Sequence, residues 1–173
     1  YLLNRAKFQN TMKLKIFATG GTFDKVYSPL EGTLTFNKTH LPEILYLSRS
    51  TLDVDIETIL LIDSLDMNFQ HRQKISQRCK DCLEDRIVIT HGTDTMVETA
   101  KLLGTEITNK TIVLTGSMVP YSFVKTDALF NFGCAIAYAQ ILQYGVYITM
   151  NGRYFTWDNV RKNRETGGFE IIK

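Results

Sequence analysis

Four short stretches of this 173-residue chain carry side chains able to do chemistry, and each directly follows a run of apolar, β-branched residues. They are Thr19-Gly20-Gly21-Thr22, Asp63-Ser64, Thr90-His91-Gly92-Thr93-Asp94-Thr95 and Thr115-Gly116-Ser117. Hydroxyls and glycines dominate them. Glycine lets a ligand approach the backbone, and the amides that open a following helix favour an anionic group such as a carboxylate. A hydroxyl is a weak nucleophile at neutral pH and needs a neighbouring base. The same residue types also supply turn angles and cap helices; Thr95, with Glu98 after it, reads as the start of a capping box. Known phosphate and serine-hydrolase patterns are missing: TGGTFDK is not GxGxxG, and neither GxxxxGK[ST] nor GxSxG occurs.

The elements that must position these stretches follow from the apolar pattern. Residues 13–18, 56–62, 86–90, 111–115 and 146–150 read as strands, and their near-continuous hydrophobicity indicates burial on both faces, as in parallel strands covered by helices. Helical patterns lie between them at 41–49, 69–84, 95–104 and 126–142. That alternation predicts a three-layer α/β/α sandwich with a mostly parallel sheet. Ligands bind beyond the carboxyl ends of such strands, so all four stretches fall on one rim. The segment after Met150 is polar and contains glycine; it reads as loop, hairpin or the stub of something longer. Against roughly 150 residues per domain, residues 13–173 make one domain, preceded by an extension or cloning remnant at 1–12.

Composition narrows the function. Hydrophobic residues are 44%, charged residues 22% and aromatics 11%, values of an ordinary globular protein. A formal net charge of +2 points to no nucleic-acid surface. The charge-free run from Ala128 to Gly152 is long enough for a membrane span, but Asn131, Gln140, Gln143 and Asn151 punctuate it and Gly145 splits it into a buried helix and a buried strand. Arg5 and Lys7 interrupt the N-terminus as a signal peptide, which makes the cytoplasm the default location. Cys79 and Cys82 form a CxxC near the end of a helical pattern with no second pair, so they read as helix residues without a zinc or redox task, and Cys134 as core. His91 reads as structural, and His40 and His71 as helix-surface residues. No metal or cofactor is required.

Three segments, IFATGGTFDK, VITHGTDTMVETA and IVLTGSMVPY, resemble the L-asparaginase/glutaminase family of amidohydrolases in order and spacing. The resemblance runs from Lys13 to about Lys162 and covers the N-terminal domain of full-length members, as in a short single-domain form. It implies a flavodoxin-like fold and hydrolysis of a small carboxamide, foremost L-asparagine to L-aspartate and ammonia. By the same resemblance Thr22, after Gly21, is the nucleophile that forms an acyl-enzyme. Tyr27, in a mobile lid over Phe23–Thr33, closes on the substrate. Ser64 holds the α-carboxylate, Gly92, Thr93, Asp94 and Ser117 complete the substrate contacts, and Lys162 joins Thr93 and Asp94 as the proton-handling set. A close carboxylate favours the charged form of a lysine, so Asp94 orients this network and grips the substrate's α-ammonium. Backbone amides of the Gly21-Thr22 or the Gly92-Thr93 turn would receive the oxyanion.

Two departures bear on the substrate. Many full-length members place a glutamine beside the carboxylate-binding serine, and this chain has Leu65. Those members also borrow an acid from a neighbouring subunit's C-terminal domain, for which Glu31 is a local substitute. Fewer ammonium contacts imply weaker asparagine binding or a different amide. The competing expectation is an amino-acid sensor that has kept the pocket and lost turnover. Assembly as a homodimer is expected, to cover an otherwise open rim.

Overall fold

The computed structural model describes residues 12–173, so the first eleven residues of the expected N-terminal extension lie outside the described residues. In chain order the elements are β1 (Leu14–Gly20), β2 (Lys25–Ser28), β3 (Thr33–Phe36), α1 (Leu41–Leu47), β4 (Val54–Ile62), α2 (Phe69–Asp81), β5 (Arg86–Thr90), α3 (Met96–Glu106), β6 (Thr111–Thr115), α4 (Ala128–Ile141), β7 (Gly145–Met150), β8 (Arg153–Thr156), β9 (Arg161–Lys162) and β10 (Phe169–Glu170). A six-stranded sheet runs β4-β1-β5-β6-β7-β8. Its first five strands are parallel, and β8 returns antiparallel on the far edge.

Side chains of a strand alternate between the two faces of its sheet, and here the two faces feed two cores. Phe17, Ile87, Ile89, Ile112 and Leu114 pack with Ile75 and Cys79 of α2 and with Met96, Ala100 and Leu103 of α3. Their neighbours Ile16, Ala18, Val88 and Val113 pack on the other face with Ile44 of α1 and with Ala128, Phe132, Ala135 and Ala139 of α4. The α4 residues recur every three or four positions, which puts them on one stripe of the helix. The result is the expected α/β/α layering with helices on both faces. β1 and β6 are buried throughout. β4 departs from the expected double burial: it is an edge strand in which only Ile59 is buried, because no strand among the described residues pairs with its outer side in the main sheet.

Two segments have more structure than the sequence pattern suggests. The expected lid is a 3-10 turn over Thr22–Asp24 followed by an antiparallel hairpin of β2 and β3, in which Tyr27 stands opposite Leu34. Val26 and Tyr27 on one arm and Thr33, Thr35 and Phe36 on the other suit a pleated ribbon, and Gly32 (φ +66°) turns the chain. The polar segment beyond Met150 is pinned by buried Phe155, Val160 and Phe169. The Trp157 ring lies so close to Gly104 of α3 that any side chain there would overlap it. β9 and β10 then form a short hairpin pairing Lys162 with Phe169. No helix among the described residues is long and apolar enough to cross a membrane.

Candidate active site

The four strand ends meet as a packed rim. A side chain at Gly21 (φ +74°) would overlap Cα and N of Gly92, and one at Gly92 would place its Cβ 2.5 Å from Ser64 Oγ. Glycine at these two positions is therefore what allows three loops to touch. Hydroxyls stitch them together: Thr19 Oγ1 donates to the Thr90 carbonyl at 2.8 Å, and Thr95 Oγ1 to the Ser64 carbonyl at 2.7 Å. Thr95 thus occupies the N-cap position of α3 without making the expected capping-box bond; its hydroxyl is spent across the rim. The capping box sits instead at α2, between Asn68 and His71.

Lys162, delivered by the β9–β10 hairpin, donates from Nζ to Thr93 Oγ1 at 2.8 Å and to Asp94 Oδ1 at 2.7 Å. Residues 68 and 69 positions apart in sequence are joined by these bonds. The lysine side chain is only 10% exposed, whereas Asp94 is 43% exposed. Thr93 Oγ1 in turn directs its own proton toward Met118 Sδ at 3.6 Å. Thr22 opens the 3-10 turn directly after Gly21, half-buried and with no side-chain hydrogen bond among the described residues. Gly21 N–H is already committed to the Ile62 carbonyl at 2.9 Å, so of that pair only the Thr22 amide is left for an oxyanion. Tyr27 is 57% exposed on its hairpin and bonds to none of these groups. Glu31 is likewise an exposed turn residue of that hairpin.

Ser64 and Ser117 are buried, and neither hydroxyl has a partner among the described residues. A buried polar group without a partner calls for a ligand, a water or a mechanistic reason. The Lys25 ammonium pairs with the Asp63 carboxylate, which also accepts the Leu65 amide at 3.0 Å. Burial works to raise the Asp63 pKa; Lys25 and that amide outweigh it and hold the carboxyl below its ordinary value. The pair ties the hairpin carrying Tyr27 to the turn carrying Ser64.

Two buried groups support the loops from beneath. His91 is fully buried: Nδ1–H donates to the Gly92 carbonyl at 2.8 Å, which leaves Nε2 to accept from Thr99 Oγ1 at 2.8 Å. Burial lowers its pKa to about 4, so the ring is neutral and bonded at both nitrogens, a strut and not an acid–base group. Asp24, the last residue of the Thr22 turn, accepts from Thr39 Oγ1 and the His40 amide, each at 3.0 Å, and burial pushes its pKa up.

Beyond the rim a cleft of about 390 Å³ is lined by Leu65, Asp94, Met118, Lys162, Arg164 and Gly167. Sequence reasoning missed Met118, Arg164 and Gly167 as part of it. Met118 was accessible in principle, since it directly follows Ser117 at a strand end. Nothing in the local pattern marks Arg164, which arrives through the hairpin.

Residues 13–170 match the family model for the asparaginase N-terminal domain. The glutaminase-asparaginase of Pseudomonas fluorescens biotype A is 30% identical, with 91% of this chain and 46% of that protein aligned. The L-asparaginase of Thermococcus kodakarensis is 28% identical over 90% of this chain and 49% of its own length. The solved structure of the thermostable L-asparaginase from Thermococcus kodakarensis superposes with a TM-score of 0.82 and 29% identity, covering 93% of this chain and 51% of that one. The chain spans about half the length of the curated relatives it matches.

Proposed function

The chain belongs to the asparaginase family, and from that premise we propose that it hydrolyses a small carboxamide by way of a threonine acyl-enzyme. The observation that carries the reading is the Lys162–Thr93–Asp94 hydrogen-bonded set at the carboxyl ends of the strands. The set places an amine within hydrogen-bond reach of a hydroxyl at the strand ends, where a proton must move in amide hydrolysis.

In the proposed reaction Thr22 Oγ adds to the amide carbon, and the oxyanion is received by the Thr22 N–H. Each such donor typically contributes ~3 kcal/mol to the transition state. The C–N bond then breaks as the nitrogen gains the proton that Thr22 Oγ gave up on attack, releasing ammonia and leaving an ester on Thr22. Water beside Thr93 and Lys162 adds to that ester, and its proton passes through these groups to Thr22 Oγ as the ester C–O bond breaks, which frees the acid and restores the threonine hydroxyl. Lys162 Nζ exchanges the proton with Thr93 Oγ1, and Asp94 fixes the amine. Ser64 and Ser117 supply hydroxyls that have no partner within the chain.

A second reading has its own support. Thr93, not Thr22, is the hydroxyl in contact with Lys162, which favours Thr93 as the attacking group. Mass spectrometry of the protein quenched during turnover separates the two by locating the acyl adduct. Release of ammonia from asparagine, glutamine and related amides tests the reaction itself; Thr22→Ala, Thr93→Val and Lys162→Met should each lower it more than 100-fold with the circular dichroism spectrum unchanged. Ser64→Ala should act mainly on KM. Calorimetric binding with no ammonia would instead support the amino-acid sensor.

A further inference from the structure

We propose that Met118 is an oxidation site: a hydroperoxide converts its thioether to the sulfoxide, and the new oxygen ties up Thr93 and Lys162 and stops the proposed hydrolysis. The loss of turnover rests on the hydrolytic reading, whereas the modification and its hold on Lys162 do not. Position is the first support. Thr93 Oγ1 accepts from Lys162 Nζ at 2.8 Å and donates its own proton to Met118 Sδ at 3.6 Å. The methyl end of Met118 lies against the turn between β9 and β10, where a Cβ on Gly167 would stand 3.2 Å from Met118 Cε. The sulfur is thus held between the Thr93 hydroxyl and the hairpin that carries Lys162. Met118, Lys162 and Gly167 all line the same cleft.

Accessibility is the second support. Of the five methionines, Met67, Met96 and Met150 are buried, while Met118 is 47% exposed and Met12 37%. Met12 precedes β1 and so lies at the end of the sheet away from the rim. The paired thiols are poor competitors. Burial pushes the Cys79 and Cys82 pKa values up, which leaves little of the thiolate that peroxides attack. Met118 is therefore the methionine that an oxidant entering the cleft meets.

The chemistry balances with hydrogen peroxide as the oxidant. The sulfur lone pair attacks one peroxide oxygen as the O–O bond breaks, and the proton on that oxygen passes to the departing hydroxide, so that water leaves. Sulfur is oxidised by two electrons and the peroxide is reduced by two. A thioether is a weak acceptor that gives up the Thr93 proton easily, whereas a sulfoxide oxygen is polar and accepts strongly. That oxygen retains the Thr93 hydroxyl and draws the Lys162 ammonium, whose charged form a nearby acceptor favours. A lysine held charged takes no proton from the attacking water, and turnover falls.

Protein treated with graded hydrogen peroxide should be divided among peptide mass spectrometry, ammonia release and acetylation of Lys162 by acetic anhydride, which needs the neutral amine. One oxygen should appear on Met118 before it appears on Met67, Met96 or Met150. Ammonia release should fall in step by about 10-fold, and Lys162 acetylation should slow. Methionine sulfoxide reductase should reverse all three changes. Met118→Leu, scored against its own untreated rates, should lose neither ammonia release nor Lys162 reactivity at the same dose. The proposal is overturned if Met118 takes up oxygen while either rate holds, or if Met118→Leu is inactivated as fast as the wild type. Untreated protein that releases no ammonia from any amide overturns hydrolysis instead, and the Lys162 acetylation rate then decides the site by itself: slower after oxidation sustains it, unchanged overturns it.

Discussion

Acidification should destabilise this protein well above the range where its carboxylates titrate, and the cause is one residue. His91 is fully buried, and its pKa of about 4 lies below the ordinary 6.5 because burial disfavours the charged ring. Between those two values the unfolded chain binds a proton that the folded chain refuses, so stability falls as pH falls through this window and levels off below it. The interval corresponds to about 3 kcal/mol in all, and to about 2 kcal/mol between pH 7 and pH 5. For a domain whose whole stability is 5–15 kcal/mol, that loss is large. Other groups act elsewhere or oppose it. Glu57 and Glu106, held at about 2 chiefly by Arg78 and Lys80, withdraw their contributions only as pH falls below the ordinary carboxylate value of 4.5. Asp24, raised by burial, works the other way, since the folded state takes up its proton before the unfolded chain does as pH falls.

Urea unfolding at pH 7, 6 and 5 at fixed ionic strength measures the loss, and a histidine-resolved NMR titration identifies its source. Stability that stays flat from pH 7 to pH 5, or a His91 resonance that titrates near 6.5, would refute the reasoning. Thr99→Val gives an independent check, because it leaves Nε2 without its donor and should cost about 1–3 kcal/mol at pH 7.

Three other outcomes follow from the contacts. Gly21→Ala should lower kcat more than 10-fold and destabilise the fold, because its φ of +74° is strained for alanine and its Cβ would push the Gly92 loop away; activity and thermal unfolding together check this. Lys25→Met removes the tie between the Tyr27 hairpin and the Ser64 turn and leaves Asp63 unpaired; hydrogen exchange in residues 25–36 should rise, and KM should increase several-fold. Exposed Leu129, Phe130 and Ile141 on α4 suit a self-association face, and sedimentation should find a dimer; Phe130→Lys should shift it to monomer.

How much of this was legible in the sequence depends on how local the cause was. The five strands of the parallel core and the four helices stood out because each carries a local apolar pattern, consecutive in the strands and spaced by three or four in the helices; RIVIT and TIVLT are buried from end to end or nearly so, while β4, equally apolar in sequence, lies at an edge. The Thr95 bond was misread because hydroxyls at helix starts usually cap, and only the approach of the Ser64 turn gave this one a better acceptor. The same limit governs the catalytic set. Thr93 and Asp94 belong to a strand end and were visible as such, but Lys162 sits in a polar tail whose anchoring depends on three separated residues, Phe155, Val160 and Phe169, and on a tryptophan resting on a glycine more than fifty positions away. No period of 2 or 3.6 encodes that arrangement. Resemblance pointed to the lysine, but not to Arg164, which reaches the same cleft on the same hairpin. Such a residue is readable only once the backbone has turned.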